Sequence, residues 1–495
     1  MNTTYGVVAI TLVAVATIGI GAFGLRISRT TSDFYVASRS VSPVPNSSAI
    51  GGEYLSAASF LGVAGLVLST GAEALWFPIG WTTGYLLLLV LVAAPLRRSG
   101  AYTIPDFAQV RLQSGAVRTV ATLLVIGVGW LYLMPQFQGA GLTMRTVTGA
   151  PPWVGTVLVA VIVMVNVISG GMRSITFVQA FQYWLKLTAL LVPVFFLVHA
   201  WTSDGSPSPV ASSDWIQPFG EPDAESMYRI YSVMVATFLG TMGLPHVVVR
   251  FYTNPDGRAA RRTTLIVLAL LGTFYLLPTI YGVLGRIYAS DLIADHRADA
   301  VVLELPSRLL GGTTGELLGA LLTAGAFAAF LSTSSGLTMS IAGVVGQAMS
   351  HRAGMSNITA IRWAAVGGVV VPLVLALSAE RIAVASSVTF AFALAASTFC
   401  PLLVLGIWWR GLTAPGAIAG LIGGGLCAGV APVITIWTRP GGWFGLLAEQ
   451  PAAWSVPIGF ALMIGVSLAT RHRLPADVSR TMVRLHAPEG VDLQR

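Results

Sequence analysis

Residues 47–65 read SSAIGGEYLSAASFLGVAG, an apolar run with adjacent glycines (Gly51, Gly52) and a carboxylate (Glu53) near its middle. A glycine pair loosens a helical backbone, and a charged side chain at membrane depth costs about 3 kcal/mol on insertion scales. Broken helices persist in a bilayer only where they line protein or a watery cavity. The stretch therefore reads as half of a binding site, with the helix interrupted at Gly51 and Gly52.

The surrounding chain has the composition of a polytopic membrane protein: 495 residues, 55% hydrophobic, 10% charged, 54 glycines. Segments of about 20 apolar residues fall near 5–25, 47–70, 75–95, 118–146, 152–170, 176–200, 227–249, 264–288, 315–349, 358–377, 383–408, 413–436 and 454–470, an expected 13 spans. The first span lacks a basic leader and is followed by Arg26 and Arg29, as a retained helix would be. With its N-terminus outside, the inner loops receive most arginines, among them Arg97, Arg98, Arg111, Arg118, Arg250, Arg258, Arg261 and Arg262. The outer loops receive acids such as Asp204, Asp214, Glu221, Asp291, Asp299 and Glu304. The formal charge of +8 is thus an orientation signal, and no nucleic-acid partner is implied. Two cysteines, Cys400 and Cys427, provide no metal ligand set. No nucleophile, base and oxyanion group converge by motif, which argues against an enzyme.

A counterpart break is expected in VATFLGTMGLPHVVVRF (235–251), where Pro245 follows Gly240 and Gly243 and removes a backbone donor. These two segments are the second and seventh spans. An odd offset of five places two similar units in opposite orientations, and paired interruptions in inverted halves point to a transporter's midplane site. A third polar locus is AGAFAAFLSTSSGLTMS (324–340), where Ala329, Ser332 and Thr333 stand at i, i+3 and i+4 on one face. Their oxygens suit a small hard cation. Between the third and fourth spans, Pro105 and Asp106 suit the start of a short surface helix. The segment 289–314, with AVVLELPSRLL, either lies on the membrane surface or lids the outer vestibule.

Together GGEYLSAASFLG (51–62), LRRSGAYTIPDFAQVRL (96–112), PQFQGAGL (135–142), GGMRSITFVQAFQYWLKL (170–187), GTMGLPHVVVRFYT (240–253) and FLSTSSGL (330–337) resemble the sodium:solute symporter family, and within it the cation/acetate (short monocarboxylate) branch. The resemblance covers roughly 30–410 in order. It implies an all-α LeuT-type core of two inverted five-helix repeats. The expected organisation is a flanking helix in 1–29, repeats in 30–200 and 201–410, flanking helices in 411–470 and a cytoplasmic tail in 471–495. It further implies a sodium ion held by the carbonyls of Gly52, Leu55 and Ala329 and the hydroxyls of Ser332 and Thr333, with Ser56 in a second tier. Two departures stand out: Tyr54 replaces an aspartate of the proline-transporting branch, and Gln179 replaces an aspartate that some members place near the sodium.

The substrate implied is a small monocarboxylate of the acetate, propionate or pyruvate type. Half-helix ends near Gly51, Gly240 and Gly243 offer free backbone donors for it, and Tyr54 and Met242 suit a small pocket wall. Lys186, the sole lysine, follows Gln179 and Gln182 on one face. It either balances the substrate's charge, pairs with Glu53, stands in for a cation in one state, or snorkels to an interface. Gln136 and Gln138 are candidates for hydrogen bonds to substrate or between helices, and His246 for a proton relay. The reading is of a sodium-coupled importer in the inner membrane, its C-terminus cytoplasmic, with the lipid bilayer and the solute as partners and no obligate protein partner evident. The alternatives are proton coupling through Glu53, Lys186 or His246 in the same fold, and a membrane solute sensor.

Overall fold

The computed structural model describes residues 3–25, 37–209, 213–219, 223–353, 356–378, 384–438 and 441–488; Arg26, Arg29 and Glu221 lie outside them. Secondary structure among the described residues is entirely helical. The elements that position the site are α1 (Thr3–Leu25), α2 (Pro43–Tyr54), α3 (Val63–Thr70), α4 (Trp76–Leu87), α5 (Gly115–Thr148), α6 (Pro152–Ser203), α7 (Ala224–Gly243), α8 (Pro245–Val249), α9 (Gly257–Tyr288), α10 (Val301–Leu309), α11 (Gly312–Ala353), α12 (Asn357–Ser378), α13 (Val384–Trp408), α14 (Ala414–Thr438) and α15 (Ala452–Ala469).

By length and apolar composition, 11 stretches among the described residues are able to cross a membrane, against the 13 expected. The difference lies in two long runs, Ala58–Arg98 with 41 residues and Pro152–Ser203 with 52. At about 1.5 Å per residue each is twice the bilayer's hydrocarbon thickness. Each contains a glycine in a conformation that L side chains rarely adopt: Gly71 at φ 68°, ψ −130° and Gly171 at φ 61°, ψ −174°. Those glycines are where the chain turns.

The core is built by burying a few helices inside a shell of others. α11 is nine-tenths buried, as is α13, whereas the outward α1 and α15 are only one-third buried. α2 and α11 both lie along α6, α7 lies along α13, and α9 closes over α2 and α3. The short helix Ile104–Leu112 forms where expected, capped by Thr103, whose hydroxyl accepts the Asp106 N–H at 3.3 Å. It is largely buried rather than superficial. Arg111 on it is 1% exposed and donates to the Gly406 carbonyl in the last turn of α13 and to the Trp409 and Arg410 carbonyls just beyond it, at 2.9, 3.1 and 3.3 Å. Arg111 therefore does not belong with the free arginines of an inner loop.

The segment 289–314 folds back against the helical core. The turn Ala298–Ala300 packs on α3, and α10 packs on α9 and α11 through buried Val301, Val302, Leu303 and Leu305. Asp299 is pressed so close to Gly65 that a Cβ there would sit 2.5 Å from its Oδ1. Burial pushes its carboxyl up from 3.8 to about 6, because removing a carboxylate from water disfavours the charged form. Arg308 ties this segment together through Asp291 at 2.6 Å and Glu304 at 2.8 Å.

Candidate cation and substrate site

The first helix break lies later than the glycine pair suggests. α2 runs unbroken through Gly51 and Gly52 to Tyr54, and the chain leaves helical geometry at Leu55 (φ −73°, ψ 88°). The glycines serve close approach instead. A Cβ on Gly51 would come within 2.7 Å of the Tyr183 ring, and one on Gly52 within 2.1 Å of the Gln179 carbonyl oxygen. α2 thus rests directly on α6. The second break falls at Leu244 (φ −69°, ψ 116°), between α7 and α8, the extended geometry that a following proline imposes. Gly240 and Gly243 face the Phe392 and Ala395 carbonyls, with room for no Cβ, so they let α7 pack on α13.

Interrupting α2 releases carbonyls that a continuous helix would consume. The Lys186 ammonium takes two of them, donating to Gly52 O at 2.5 Å and Leu55 O at 2.7 Å, and gives its remaining donor to Ser332 Oγ at 2.9 Å. An ammonium has three N–H donors, and all three are used. Ser332 Oγ donates on to Ala329 O at 3.1 Å, and Thr333 Oγ1 donates to the Glu53 carbonyl at 2.6 Å. The Lys186 ammonium thus rests on three of the five oxygens expected to hold sodium, and hydrogen bonds tie the other two residues, Ala329 and Thr333, to the same cluster.

Beside this cluster lies a buried ion pair. Arg250 Nε donates to Glu53 Oε2 at 2.6 Å, with both side chains at most 2% exposed. Its Nη1 donates to Thr176 Oγ1 at 2.8 Å and its Nη2 to Gln179 Oε1. Gln179 Nε2 in turn donates to Ser332 O at 2.8 Å. Arg250 was counted as an inner-loop arginine from sequence, and that placement is corrected here: it continues α8 into the core, where it ties the second broken segment to the first. Gln179 links the ion pair to the cation oxygens. Glu53 Oε1 lies against Gly336, where a Cβ would fall 2.0 Å away.

Next to the breaks, seven side chains from six helical segments pack into one buried aromatic cluster. Phe392 is its hub, with Tyr54, Trp81 and Tyr132 at centroid distances of 6.4, 5.9 and 5.7 Å. Tyr85 stands on Tyr54, Tyr275 on Trp81, and His246 on Tyr132 at 4.8, 5.7 and 5.3 Å. The Tyr54 hydroxyl meets Thr241 Oγ1 at 2.8 Å. Buried Trp81 Nε1, Tyr85 Oη and both His246 ring nitrogens have no hydrogen-bond partner among the described residues, although buried polar groups are ordinarily satisfied. Trp81, Tyr85 and Tyr275 carried no sequence motif. Gln136 Oε1 accepts the Ala57 N–H at 2.9 Å, at the start of the second half of the broken helix. Gln138, two residues on, turns to another face of α5 and is half-buried. Met242 is buried beside Thr241.

Comparison with known proteins agrees with this architecture. The sodium:solute symporter family profile matches residues 34–424. The chain belongs to the sodium:solute symporter family. The uncharacterized symporter YwcA of Bacillus subtilis (strain 168) is 29% identical over 523 residues, covering 100% of both chains. Among solved structures, a sodium-coupled sialic acid symporter in a substrate-bound outward-open state aligns with a TM-score of 0.70 at 15% identity, over 93% of this chain and 98% of that one. MhsT in complex with L-phenylalanine aligns with a TM-score of 0.54 at 15% identity, over 89% and 98%. Mhp1, a nucleobase-cation-symport-1 transporter, aligns at 0.53 and 14%, over 92% and 99%. The fold is therefore LeuT-type, and the protein is a multi-pass membrane transporter of a small solute.

Proposed function

We propose that this symporter imports a short monocarboxylate, of the acetate, propionate or pyruvate type, together with a cation. The observation that carries the substrate class is the charge of the core. Lys186, Arg250 and Glu53 are the charged side chains buried around the two breaks, which leaves one positive charge without a counterpart. A buried uncompensated charge is costly, and a monoanion balances it when the coupled cation takes the place of the Lys186 charge, where a neutral or dianionic solute does not. The aromatic cluster agrees: unpartnered Trp81 N–H donates only, while Tyr85 and His246 can donate, as a carboxylate requires. Its rings suit contact with a small apolar tail.

Family membership supports sodium as the cation, and the convergence of Gly52, Leu55, Ala329, Ser332 and Thr333 supports its place. Gly51, Glu53, Gly240 and Gly243 act in this reading through the packing and charge of the break, while Tyr54, Gln136 and Met242 border the substrate. A second reading, proton coupling in the same fold, is favoured by the Lys186 ammonium already lying on three of those oxygens. In both readings the N-terminus faces out, the C-terminus lies in the cytoplasm, and the protein works in the inner membrane. Uptake of labelled acetate into proteoliposomes at fixed pH, with a sodium gradient or with potassium in its place, tests them. Sodium-dependent uptake supports the first. Uptake driven by a pH gradient and indifferent to sodium supports the second, and no uptake of acetate, propionate or pyruvate refutes the substrate class.

A further inference from the structure

We infer that Lys186 is a tethered competitor of sodium, holding the cation site in the ion-free carrier and surrendering it when sodium enters. The inference rests on the cation-site reading above. Gly52 O, Leu55 O and Ser332 Oγ are three of the five oxygens a sodium ion would use, and each lies within 2.9 Å of Lys186 Nζ. A compact ammonium and a metal ion cannot both occupy the point where these three vectors meet.

Three features show that the arrangement is built rather than incidental. Lys186 is wholly buried, so its ammonium has no water to return to and must be held by protein dipoles. Its stem belongs to α6, a different helix from those supplying the oxygens, and α2 lies so close to α6 that Gly52 admits no side chain. The tether is therefore short and fixed in aim. Finally, the ammonium's acceptors include no carboxylate. Glu53, the nearest acid, gives Oε2 to Arg250 instead. Lys186 is held by neutral oxygens, the type of ligand a monovalent cation uses.

A device of this kind keeps the released carbonyls of the broken helix satisfied when the ion is gone. It also sets sodium affinity as a difference between two cations competing for one set of ligands, so sodium binds the intact protein more weakly than the oxygens alone would dictate.

Sodium binding is measured by equilibrium radiolabel binding to purified protein without substrate, so the result does not depend on which acid is carried. Lys186→Met, which keeps the stem and removes the charge, is expected to bind sodium at least tenfold more tightly than the natural protein. Lys186→Arg, which keeps a cation, is expected to stay weak. Lys186→Met binding no better than the natural protein overturns the inference. Should that variant not fold, the natural chain carries its own probe, because Lys186 is its sole lysine. Reductive methylation followed by peptide mapping, which separates the N-terminal amine, is expected to modify Lys186 at least fivefold faster in sodium chloride than in N-methylglucamine chloride. Equal rates overturn the inference. Failure of acetate uptake with either result intact refutes the substrate reading alone.

Discussion

Replacing Arg250 tests whether the two broken segments are held together by charge. In the natural protein its guanidinium meets Glu53 Oε2 at 2.6 Å and Thr176 Oγ1 at 2.8 Å, and also binds Gln179. Arg250→Met leaves a buried carboxylate whose Oε1 has no other partner among the described residues. Removing one member of a buried pair costs about 3–5 kcal/mol. Glu53→Gln leaves Arg250 buried with its two neutral acceptors, so its cost belongs at the lower end of that range. The double variant Glu53→Gln, Arg250→Met removes both charges, and apolar replacement of a whole pair is often close to neutral. The double variant should therefore be more stable than Arg250→Met alone, with a coupling of about 2 kcal/mol or more, well above the roughly 0.5 kcal/mol scatter of independent sites. Reversible unfolding in mixed micelles by sodium dodecyl sulfate measures all four corners of the cycle. Additive costs would refute the argument that the ion pair, rather than packing of each side chain, joins the segments.

Gly336→Ala places a methyl group 2.0 Å from Glu53 Oε1, so it should dislodge the carboxylate and cut uptake at least tenfold, as initial rates in proteoliposomes would register. Ser332→Ala combined with Thr333→Ala removes two of the five proposed ligand groups and should abolish the sodium response of uptake; a normal sodium response in that variant would disprove the site. Asp299 binds its proton more tightly in the docked segment than in water, with about 6 against 3.8. Docking is therefore strongest below pH 3.8, weakens as pH rises through 3.8 to 6, and is level above that. Hydrogen exchange of 298–309, corrected for intrinsic rates, should show this loss of protection, and Asp299→Asn should remove it.

Much of the site was legible because its ligands are local. Pro245 marks its own break, and Ala329, Ser332 and Thr333 share a face by helical spacing alone. The position of the first break was not legible, since a glycine pair marks close packing as readily as interruption, and here the partner surface on α6 decided between them. Arg250 was hidden for a related reason. An arginine at the end of an apolar span fits the positive-inside pattern, and only the course of α8 turns it inward. The aromatic cluster was the least legible part. Trp81, Tyr85, Tyr275 and Phe392 come from helices far apart in the chain, and an aromatic residue in an apolar span carries no mark of whether it meets lipid or protein.

The unbalanced charge of the core bears on how voltage acts on the cycle. A carrier whose fixed groups sum to +1 becomes neutral when it takes up a monoanion, and returns to +1 when it releases it. If sodium replaces the Lys186 ammonium, and that amine passes its proton to the solution on the loading side and regains one on the unloading side, the loaded form stays neutral and each turnover carries one proton the other way. The step that feels the electric field is then the return of the empty protein. A potential negative inside holds it facing inward by up to about 2.3 kcal/mol per 100 mV, the upper limit if the charge crosses the entire field. In an electrically recorded bilayer this protein would show transient currents without substrate, and saturating substrate would quench them.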